Sequence, residues 1–326
     1  MKQTGRREFL AGAIVAPAFA GVAVPATPAQ SNSVRNSGSD KFFTRRMEEM
    51  TSREIEFYLK DGGDLVMVPF GPVSGHGAFI PVGMHAHWAH ALSVVLARKA
   101  NGLVFPPTYA CFAGATRAFR GTVSFEHAEQ VRTLKRIALR LYEAGFRRVV
   151  LVGGTNPEDT AGMIAARELF DQTEKPFLFL RCQTLLASPQ ATAIYAGYPG
   201  SSYETQLCLG ALKILGRERP IPAADWAKEL KRDEGGDQPA EIRADVEAMR
   251  RVGAVGFRYY EEEEHGDGGT AGLIYKGRSD VDMAVEVIEA CADAALPALD
   301  HFAHYADWLD KHPFQWIKAT EHLNEM

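Results

Sequence analysis

Leu65-Val66-Met67-Val68-Pro69-Phe70 is the stretch of sequence that decides the fold. Every residue in it is apolar, and such an unbroken run is typical of a strand that is buried on both faces. A glycine-rich loop, Gly71–Gly83, follows the run, and the next segment, Ala86–Lys99, has the pattern of a helix. A strand that leads through a loop into a helix begins a β-α-β unit, so this stretch predicts a parallel sheet covered by helices.

The same alternation continues along the chain. Further short apolar runs predict strands at Gly102–Phe105, Arg148–Val152 and Phe177–Arg181. Helical patterns accompany them at Met47–Leu59, Glu126–Ala144, Ala161–Phe170 and Val281–Leu299. Strands that alternate with helices predict an α/β fold with a mostly parallel sheet, in which ligands bind beyond the carboxyl ends of the strands. The loops after the predicted strands are therefore where we expect a functional site.

The N-terminal residues have the features of a signal peptide. Arg6 and Arg7 form a twin-arginine pair, and an apolar run, Leu10–Val24, leads to small residues typical of a cleavage site. The run is shorter than the roughly 20 residues of a membrane span, although a retained anchor is the alternative. We expect a twin-arginine signal peptide over residues 1–30, a flexible tail over 31–44 and an α/β domain over 45–326. This organisation predicts a periplasmic or secreted protein.

Composition limits the function. Hydrophobic residues make up 46% of the chain, enough for a sizeable core. The formal net charge of −5 argues against a surface dedicated to nucleic acid or anionic membranes. The four cysteines form no C-x-x-C pair, which argues against a zinc ribbon or redox motif, and we expect buried thiols. A G-x-S-x-G elbow and a G-x-x-x-x-G-K-[ST] phosphate loop are both absent from the sequence.

Histidines are concentrated in the loop after the first strand and at the start of the next helix. They are His76, His85, His87 and His90. Imidazole is a common ligand for transition metals and a general base near neutral pH. We expect His85 at or just before the helix start, across the loop from His76. The candidate metal ligands are His76, His85 and His87, and the alternative is that these histidines only pack and form hydrogen bonds.

Two arginines and a glycine-rich turn are candidates for substrate binding. Arg117 and Arg120 follow the second predicted strand, where either one can hold a carboxylate or a phosphate, or be a surface arginine. The turn Gly153-Gly154-Thr155 can present backbone N–H groups to an anion. Glu126 complements the dipole of the helix that starts there, and we expect the neighbouring His127 to be exposed.

With these motifs, the chain resembles the creatininase family of amidohydrolases over Glu49–Leu296. The family loop G-S-T-E-Q-H-G-x-H-L-P-L-G-T-D is matched without a gap by Gly71-Pro72-Val73-Ser74-Gly75-His76-Gly77-Ala78-Phe79-Ile80-Pro81-Val82-Gly83-Met84-His85. The motif F-P-G-T-I-S is matched by Phe119-Arg120-Gly121-Thr122-Val123-Ser124. The motif G-F-R-R-I-V-I-V-N-G-H is matched by Gly145-Phe146-Arg147-Arg148-Val149-Val150-Leu151-Val152-Gly153-Gly154-Thr155. The motif H-A-G-E-x-E-T-S is similar to Pro199-Gly200-Ser201-Ser202-Tyr203-Glu204-Thr205-Gln206.

The resemblance implies a three-layer α/β/α fold, often a hexamer built from dimers, and two metal ions that activate a water to open a cyclic amide or related C–N bond. At the family's metal-ligand positions this chain has Ser74, His76, His85, Thr155, Pro157, Ser202 and Glu204. His76 and Glu204 keep the family's residue type, whereas His85 replaces an aspartate that bridges the two ions. A neutral imidazole does not bridge two cations or screen their repulsion as a carboxylate does, so we expect the dinuclear site to be absent.

Three functions remain open. The first is a hydrolase of a small cyclic amide, a lactone or a related C–N or C–O bond, with one Zn, Fe or Mn ion in a rebuilt mononuclear site. Beside His76 and His85, its third ligand is His87, Glu204 or Glu158. Its predicted catalytic residues are His76, His85 and Glu204, and its predicted substrate-binding residues are Arg117, Arg120, Thr155 and Tyr203. The second is a metal-free lyase or isomerase in which a pocket histidine is the acid or base. The third is a non-catalytic protein that binds a ligand or accompanies an exported enzyme.

The expected partners follow from the same features. We expect a small-molecule substrate, no nucleic acid, no stable membrane insertion and a homo-oligomer. The aromatic segment His301–Trp316, after the last predicted helix, is a candidate contact with a neighbouring subunit.

Overall fold

A parallel sheet forms the centre of the molecule. In this computed structural model the structure describes residues 42–75, 80–118, 121–154, 156–196, 203–218, 245, 248–249 and 281–313. Within these residues the strands are β1 (Leu65–Phe70), β2 (Leu103–Val104), β3 (Arg148–Gly153) and β4 (Leu178–Arg181). Their order across the sheet is β2-β1-β3-β4, and every pair is parallel. Each predicted strand is therefore confirmed, and so is the parallel sheet.

The helices lie between and after these strands. In the described part of the chain they are α1 (Ser52–Lys60), α2 (Met84–Lys99), α3 (His127–Glu143), α4 (Asn156–Thr173), α5 (Cys182–Leu186), α6 (Pro189–Ala196), α7 (Tyr203–Ile214) and α8 (Val281–Lys311). Short 3₁₀ helices occur at Met47–Glu49 and Gly114–Ala118. None of the helices in these described ranges is long and apolar enough to cross a membrane.

Several predicted helix boundaries are wrong, and the start of α1 has a local reason. The first helix begins at Ser52 instead of Met47, because the Thr51 hydroxyl accepts from the Glu54 N–H while the Glu54 carboxylate accepts from the Thr51 N–H. Such a capping box fixes the start of a helix. Helix α4 starts five residues before the predicted Ala161. Helix α8 continues past Leu299 to Lys311, so the first part of the predicted aromatic segment is helical.

The sheet separates two apolar layers, because alternate residues of a strand point to opposite faces. Leu65 and Met67 of β1 pack in one core with helices α2, α7 and α8. Val66 and Val68 of the same strand pack in a second core with residues of α1, α3 and α4. Both faces of β1 are fully buried, which confirms the unbroken apolar run as a central strand and the fold as a three-layer α/β/α arrangement.

A buried tyrosine fixes the turn that leads into β1. The Tyr58 hydroxyl lies 3.0 Å from the Leu65 carbonyl oxygen and 2.9 Å from the Asn101 carbonyl oxygen, and it accepts from the Leu65 N–H at 3.2 Å. A Cβ on Gly63 would lie 2.3 Å from the Tyr58 ring, so only glycine allows this approach. Burial raises the pKa of Tyr58 to about 12, which keeps its proton available for these hydrogen bonds.

The segment before α1 covers the edge of the sheet at β2. The Val104 N–H donates to the Arg45 carbonyl at 2.8 Å, and Arg46 forms a parallel bridge with Val104. An edge strand left open is a site for unwanted pairing with other chains, and this bridge closes it. All four cysteines are buried and outside any disulfide, as predicted.

Candidate active site

The carboxyl ends of the strands are tied together where the predicted site lies. The Gly154 N–H, just after β3, donates to the Phe70 carbonyl at the end of β1, with an N to O distance of 3.1 Å. The Gly71 N–H donates to the Thr108 carbonyl, also at 3.1 Å, which brings the segment after β2 against the same edge. Three chain segments therefore meet at one end of the sheet.

Two glycines at this edge contact the backbone of the first turn of α2. A Cβ added to Gly71 would lie 2.5 Å from the Ala86 nitrogen, and one added to Gly154 would lie 2.3 Å from the His85 carbonyl oxygen. Real Cβ atoms do not approach backbone so closely, so each position needs glycine. We call this contact the glycine clamp: Gly71 and Gly154 against His85 and Ala86. It fixes His85 at the ends of β1 and β3.

His85 is the second residue of α2, and its side chain is only 4% exposed. The helix begins at Met84, two residues earlier than predicted, because the His87 N–H already donates to the Gly83 carbonyl at 2.9 Å. The expectation that His85 lies at the start of the helix is thus confirmed. A buried imidazole at the carboxyl edge of a parallel sheet is placed where ligands bind in this class of fold.

His87 lies in a different environment from His85. Its ring faces Tyr109 edge-on, with centroids 6.4 Å apart, and its buried Nδ1 has no hydrogen-bond partner among the residues that the structure describes. Burial, with a contribution from the charge of Arg217, lowers the pKa of His87. The imidazole is therefore neutral near neutral pH, the form that binds metals and accepts protons.

The helix separates the two predicted ligands of α2. Residues two apart on an α-helix are about 200° apart around the axis and do not face each other. His85 and His87 have this spacing inside α2. A single ion beside His85 therefore has better access to ligands from other loops than to His87.

The loop after β1 is braced by the segment that leads into α3. The Ser74 N–H donates to the Val82 carbonyl at 2.8 Å, and the Gly75 N–H donates to the Thr122 hydroxyl at 2.8 Å. Val73 and Val123 form an antiparallel bridge. Ser74, at the family position of a carboxylate ligand, is 1% exposed. These contacts hold the start of the loop in place immediately before His76.

The other predicted site residues are described only in part. Arg117 is exposed in the 3₁₀ helix Gly114–Ala118, and its role in substrate binding stays a prediction. His76, Arg120, Thr155 and Ser202 lie outside the described residues. Tyr203 and Glu204 lie in α7, and Pro157 and Glu158 lie in α4, where only the backbone is described at these positions.

His127, which the sequence led us to expect as exposed, is half-buried. Its ring stacks on Phe112 with centroids 4.0 Å apart, and within the described part of the chain its buried Nδ1 has no hydrogen-bond partner. Burial lowers the pKa of His127. One turn further along α3, Gln130 is fully buried and accepts from the Phe112 N–H at 3.0 Å. The spacing of His127 and Gln130 places both on one face of α3, but Phe112 is distant in sequence and gives no signal of this contact.

The described residues do not gather a complete metal-ligand set. In the ranges that the structure describes, no group of three or more His, Cys, Asp or Glu side chains is placed to hold a metal ion. His76, the member of the predicted set that lies between the clamp glycine Gly71 and His85, falls outside those ranges. A carboxylate-rich centre is thus not formed by the described side chains around His85.

Comparison with known proteins identifies the family of the chain. A family model described as Creatininase: Creatinine amidohydrolase matches residues 48–273. The chain belongs to the creatininase family. The match spans the glycine clamp, the three α2 histidines and the segment Tyr203–Ile214, so the predicted resemblance is confirmed.

Solved structures share the fold of this creatininase-family chain at low sequence identity. A crystal structure of creatinine amidohydrolase (creatininase) has a TM-score of 0.52 and 18% identity, covering 79% of this chain and 98% of that one. A putative creatinine amidohydrolase from Bacteroides fragilis NCTC 9343 has a TM-score of 0.56 and 12% identity, covering 79% and 96%. A glutamate-to-glutamine mutant creatininase of Zn-Zn type has a TM-score of 0.50 and 20% identity, covering 78% and 98%. No curated protein sequence matches the chain.

Replacing Gly154 with alanine should displace His85. The added methyl carbon would lie 2.3 Å from the His85 carbonyl oxygen, and overpacking of this kind costs about 1–3 kcal/mol of unfolding free energy. We expect that loss in urea unfolding, together with shifted NMR signals of the His85 imidazole.

Gly62→Ala is the control for that variant. Gly62 has a φ of +88° and no atom within 4 Å of an added Cβ, so alanine there is strained by about 1–2 kcal/mol without touching α2. It should lower stability and leave the His85 signals in place. Unchanged His85 signals in Gly154→Ala would show that the clamp does not position this residue.

His90 should make the fold less stable in mild acid. Its side chain is fully buried, 4.0 Å from the Glu48 carboxylate, and burial, with the charges of Arg46 and Arg217, lowers its pKa from 6.5 to about 4. As the pH falls below 6.5, the ordinary pKa of histidine, His90 takes up a proton in the unfolded chain but not in the folded protein. The contribution of neutral His90 to the free energy of unfolding is therefore fully present above pH 6.5 and decreases as the pH falls toward 4. We expect a loss of about 2 kcal/mol in unfolding free energy between pH 7 and pH 5.

The measurement is urea unfolding at both pH values for the wild type, His90→Gln and His304→Gln. His304 is exposed on α8, so its variant should keep the wild-type pH dependence, whereas His90→Gln should show a smaller one. An equal pH dependence in all three proteins would mean that His90 titrates normally.

Proposed function

We propose that this protein is a hydrolase that opens a small cyclic amide, a lactone or a related C–N or C–O bond at the carboxyl edge of its sheet. Membership in a family of amidohydrolases supports the reaction class. The observation that carries the proposal is the glycine clamp, because it holds His85 at the strand ends through backbone contacts that no other residue type at positions 71 and 154 would allow.

We propose one divalent ion, Zn, Fe or Mn, in place of two. His76 and His85 would hold it, and the separation of His85 from His87 around α2 favours Glu204 or Glu158 as the third ligand. When bound, such an ion lowers the pKa of a coordinated water and so supplies a nucleophile at neutral pH. The replacement of a bridging carboxylate by His85 supports the loss of the second ion, since imidazole leaves the repulsion between two cations unscreened.

The remaining proposed roles are in substrate binding. Arg117 is exposed on its 3₁₀ helix and available to a charged group of the substrate. Arg120, Thr155 and Tyr203 are proposed to bind the substrate beside it. The burial of His85 and Ser74 makes the base of the site a low-dielectric environment, where hydrogen bonds and charges act more strongly than in water.

A second candidate is a metal-free lyase or isomerase. His127 favours it, because this half-buried imidazole stacks on Phe112, has a pKa lowered by burial and has an Nδ1 to which no described residue forms a hydrogen bond. A neutral imidazole of this kind is suited to accept a proton from a substrate. His87, which is nearer to the clamp, also has a pKa lowered by burial and an Nδ1 to which no described residue forms a hydrogen bond.

Export and assembly are part of the same proposal. The Arg6-Arg7 pair and the apolar run Leu10–Val24 support twin-arginine export to the periplasm or beyond. This route carries folded proteins, so the metal can be loaded in the cytoplasm. We propose a homo-oligomer whose substrate is a small molecule.

The function is tested by ring opening of hydantoin, creatinine and γ-butyrolactone, followed by chromatography. The protein is first treated with a chelator and then supplied with Zn²⁺, Mn²⁺ or Fe²⁺. We expect the wild type to hydrolyse at least one probe with one of these ions. His85→Ala should lower kcat/KM by at least about 100-fold. Loss of a residue that only supports a metal ligand already costs up to about 100-fold, and His85 is proposed as a ligand itself.

His304→Ala is the matched control, because it removes an exposed histidine far along the chain on α8. It should retain wild-type activity. Full activity in His85→Ala, or no hydrolysis of any probe with any ion, would contradict the proposed hydrolase. Activity that survives chelation and is lost in His127→Ala would instead support the metal-free candidate.

A further inference from the structure

Two buried polar groups on α3 lack the hydrogen bonds that burial normally requires. Gln130 is fully buried, and its Nε2 has no hydrogen-bond partner among the described residues. The Nδ1 of His127, three residues earlier on the same helix, is also buried and without a partner there. Most buried polar atoms in proteins are paired, so two neighbouring exceptions on one helix face need an explanation.

The orientation of the Gln130 amide follows from the hydrogen bond that it does form. Its Oε1 accepts from the Phe112 N–H at 3.0 Å. Turning the amide over would place its NH₂ group against that N–H, so that two donors would face each other. Nε2 is therefore the end of the amide that points away from the Phe112 N–H, and its two N–H groups need an acceptor.

The acceptor that α3 offers is His127. Residues three apart on a helix have Cβ atoms about 5–6 Å from each other, close enough for their side chains to interact. Phe112 brings these two together, because its N–H binds Gln130 while its ring stacks on the His127 imidazole. Burial lowers the pKa of His127 and so favours the neutral form, in which one ring nitrogen donates and the other accepts. A rotation of the Gln130 side chain that pairs Nε2 with Nδ1 would satisfy both buried atoms.

The second ring nitrogen of His127 is accessible. His90 has both ring nitrogens buried without a described partner, whereas at His127 this holds for Nδ1 alone. His127 as a whole is half-buried, so Nε2 lies on the accessible side of the ring. The hydrogen bond that Nδ1 forms decides whether this Nε2 carries the proton.

Contacts at the start of α3 place the imidazole beside the candidate site. Val123 forms a bridge with Val73, which lies three residues after the end of β1. The Gly75 N–H donates to the Thr122 hydroxyl at 2.8 Å. His127 is the first residue of α3, four positions after Val123. The accessible nitrogen thus lies next to a segment that is hydrogen-bonded to the loop after β1, where the proposed reaction takes place.

We propose that Gln130 is a positioning residue, which donates through its amide N–H to Nδ1 of His127 and so holds the imidazole proton on Nε2. The Nε2–H then donates to the substrate oxygen that gains negative charge during hydrolysis. This second step rests on the proposed hydrolase, whereas the hydrogen bond itself does not. The opposite tautomer, with the proton on Nδ1, would leave Nε2 to accept a proton, as the metal-free candidate requires.

The test is two-bond ¹H–¹⁵N correlation NMR of the full chain labelled with ¹⁵N-histidine, at about pH 8, where histidine is neutral. The spectra report which nitrogen of each ring carries the proton. His127→Gln identifies the His127 signals, and His304 gives the tautomer ratio of an exposed imidazole. We expect the Nε2–H form to be more favoured at His127 than at His304. Gln130→Met, which removes the donor without adding a charge, should return the ratio to that of His304.

Gln130→Glu gives the sharpest result, because a carboxylate still accepts from the Phe112 N–H but has no proton to donate to Nδ1. It should change the tautomer ratio of His127 by at least about ten-fold toward the form with a proton on Nδ1, the effect of one hydrogen bond to a charged group. Gln190→Glu is the matched control, since Gln190 is exposed on α6. It should leave the wild-type ratio unchanged. Gln130→Met alone carries the test if the buried carboxylate prevents folding.

Activity on a hydrolysed probe tests the second step. His127→Ala should lower kcat by about 100-fold, the effect of removing one donor to such an oxygen, and His127→Gln should retain more activity because glutamine also donates. A wild type that hydrolyses no probe would contradict the hydrolase but not the hydrogen bond, which the tautomer ratios decide. The same ratio in the wild type, Gln130→Met and Gln130→Glu, or a wild-type imidazole with its proton on Nδ1, would overturn the proposal.

Discussion

The contact of two glycines with the backbone of α2 is the constraint on which the rest of this site depends. Gly71 follows the strand β1, Gly154 follows β3, and both contact the His85–Ala86 peptide so closely that any side chain at either position would clash. The hydrogen bond from the Gly154 N–H to the Phe70 carbonyl fixes the same two strands to each other. The start of α2 and the ends of β1 and β3 therefore behave as one unit, and His85 takes its position from backbone rather than from side-chain packing.

The sequence predicts the central strand of the fold better than the ends of its helices. The run Leu65–Phe70 predicts a central strand because both of its faces are apolar, and both faces are buried in separate cores. The sequence predicts the end of α8 too early, because the pattern of apolar residues becomes aromatic and polar after Leu299. The helix continues because Phe302 and Ala306 keep the three- and four-residue spacing of its buried face. The start of α2 depends on a hydrogen bond to Gly83 and on the clamp, which hydrophobic periodicity does not reveal.

For the candidate site, the sequence predicts where His85 lies but not which distant residues contact the histidines. The matched motifs locate His85 at the family's ligand position, and the structure places it at the predicted sheet edge. What the sequence could not provide are contacts between distant segments: Gly154 against His85, Phe112 against His127, and Glu48 near the buried His90. Burial lowers the pKa of His90 and of His127, so the packing of distant segments keeps both imidazoles neutral near neutral pH.

At the positions where the resemblance implies metal ligands, neutral residues replace anionic ones, and from this we propose that one ion takes the place of the family's two. The direct measurement is the metal content of the folded full chain by elemental analysis, beside a His76→Ala, His85→Ala double variant and the His304→Ala control. The account predicts about one equivalent of zinc, iron or manganese per chain in the wild type and the control, and a loss of it in the double variant. Two equivalents, or metal retained by the double variant, would contradict the mononuclear site, and a chain without metal would contradict hydrolysis by an activated water.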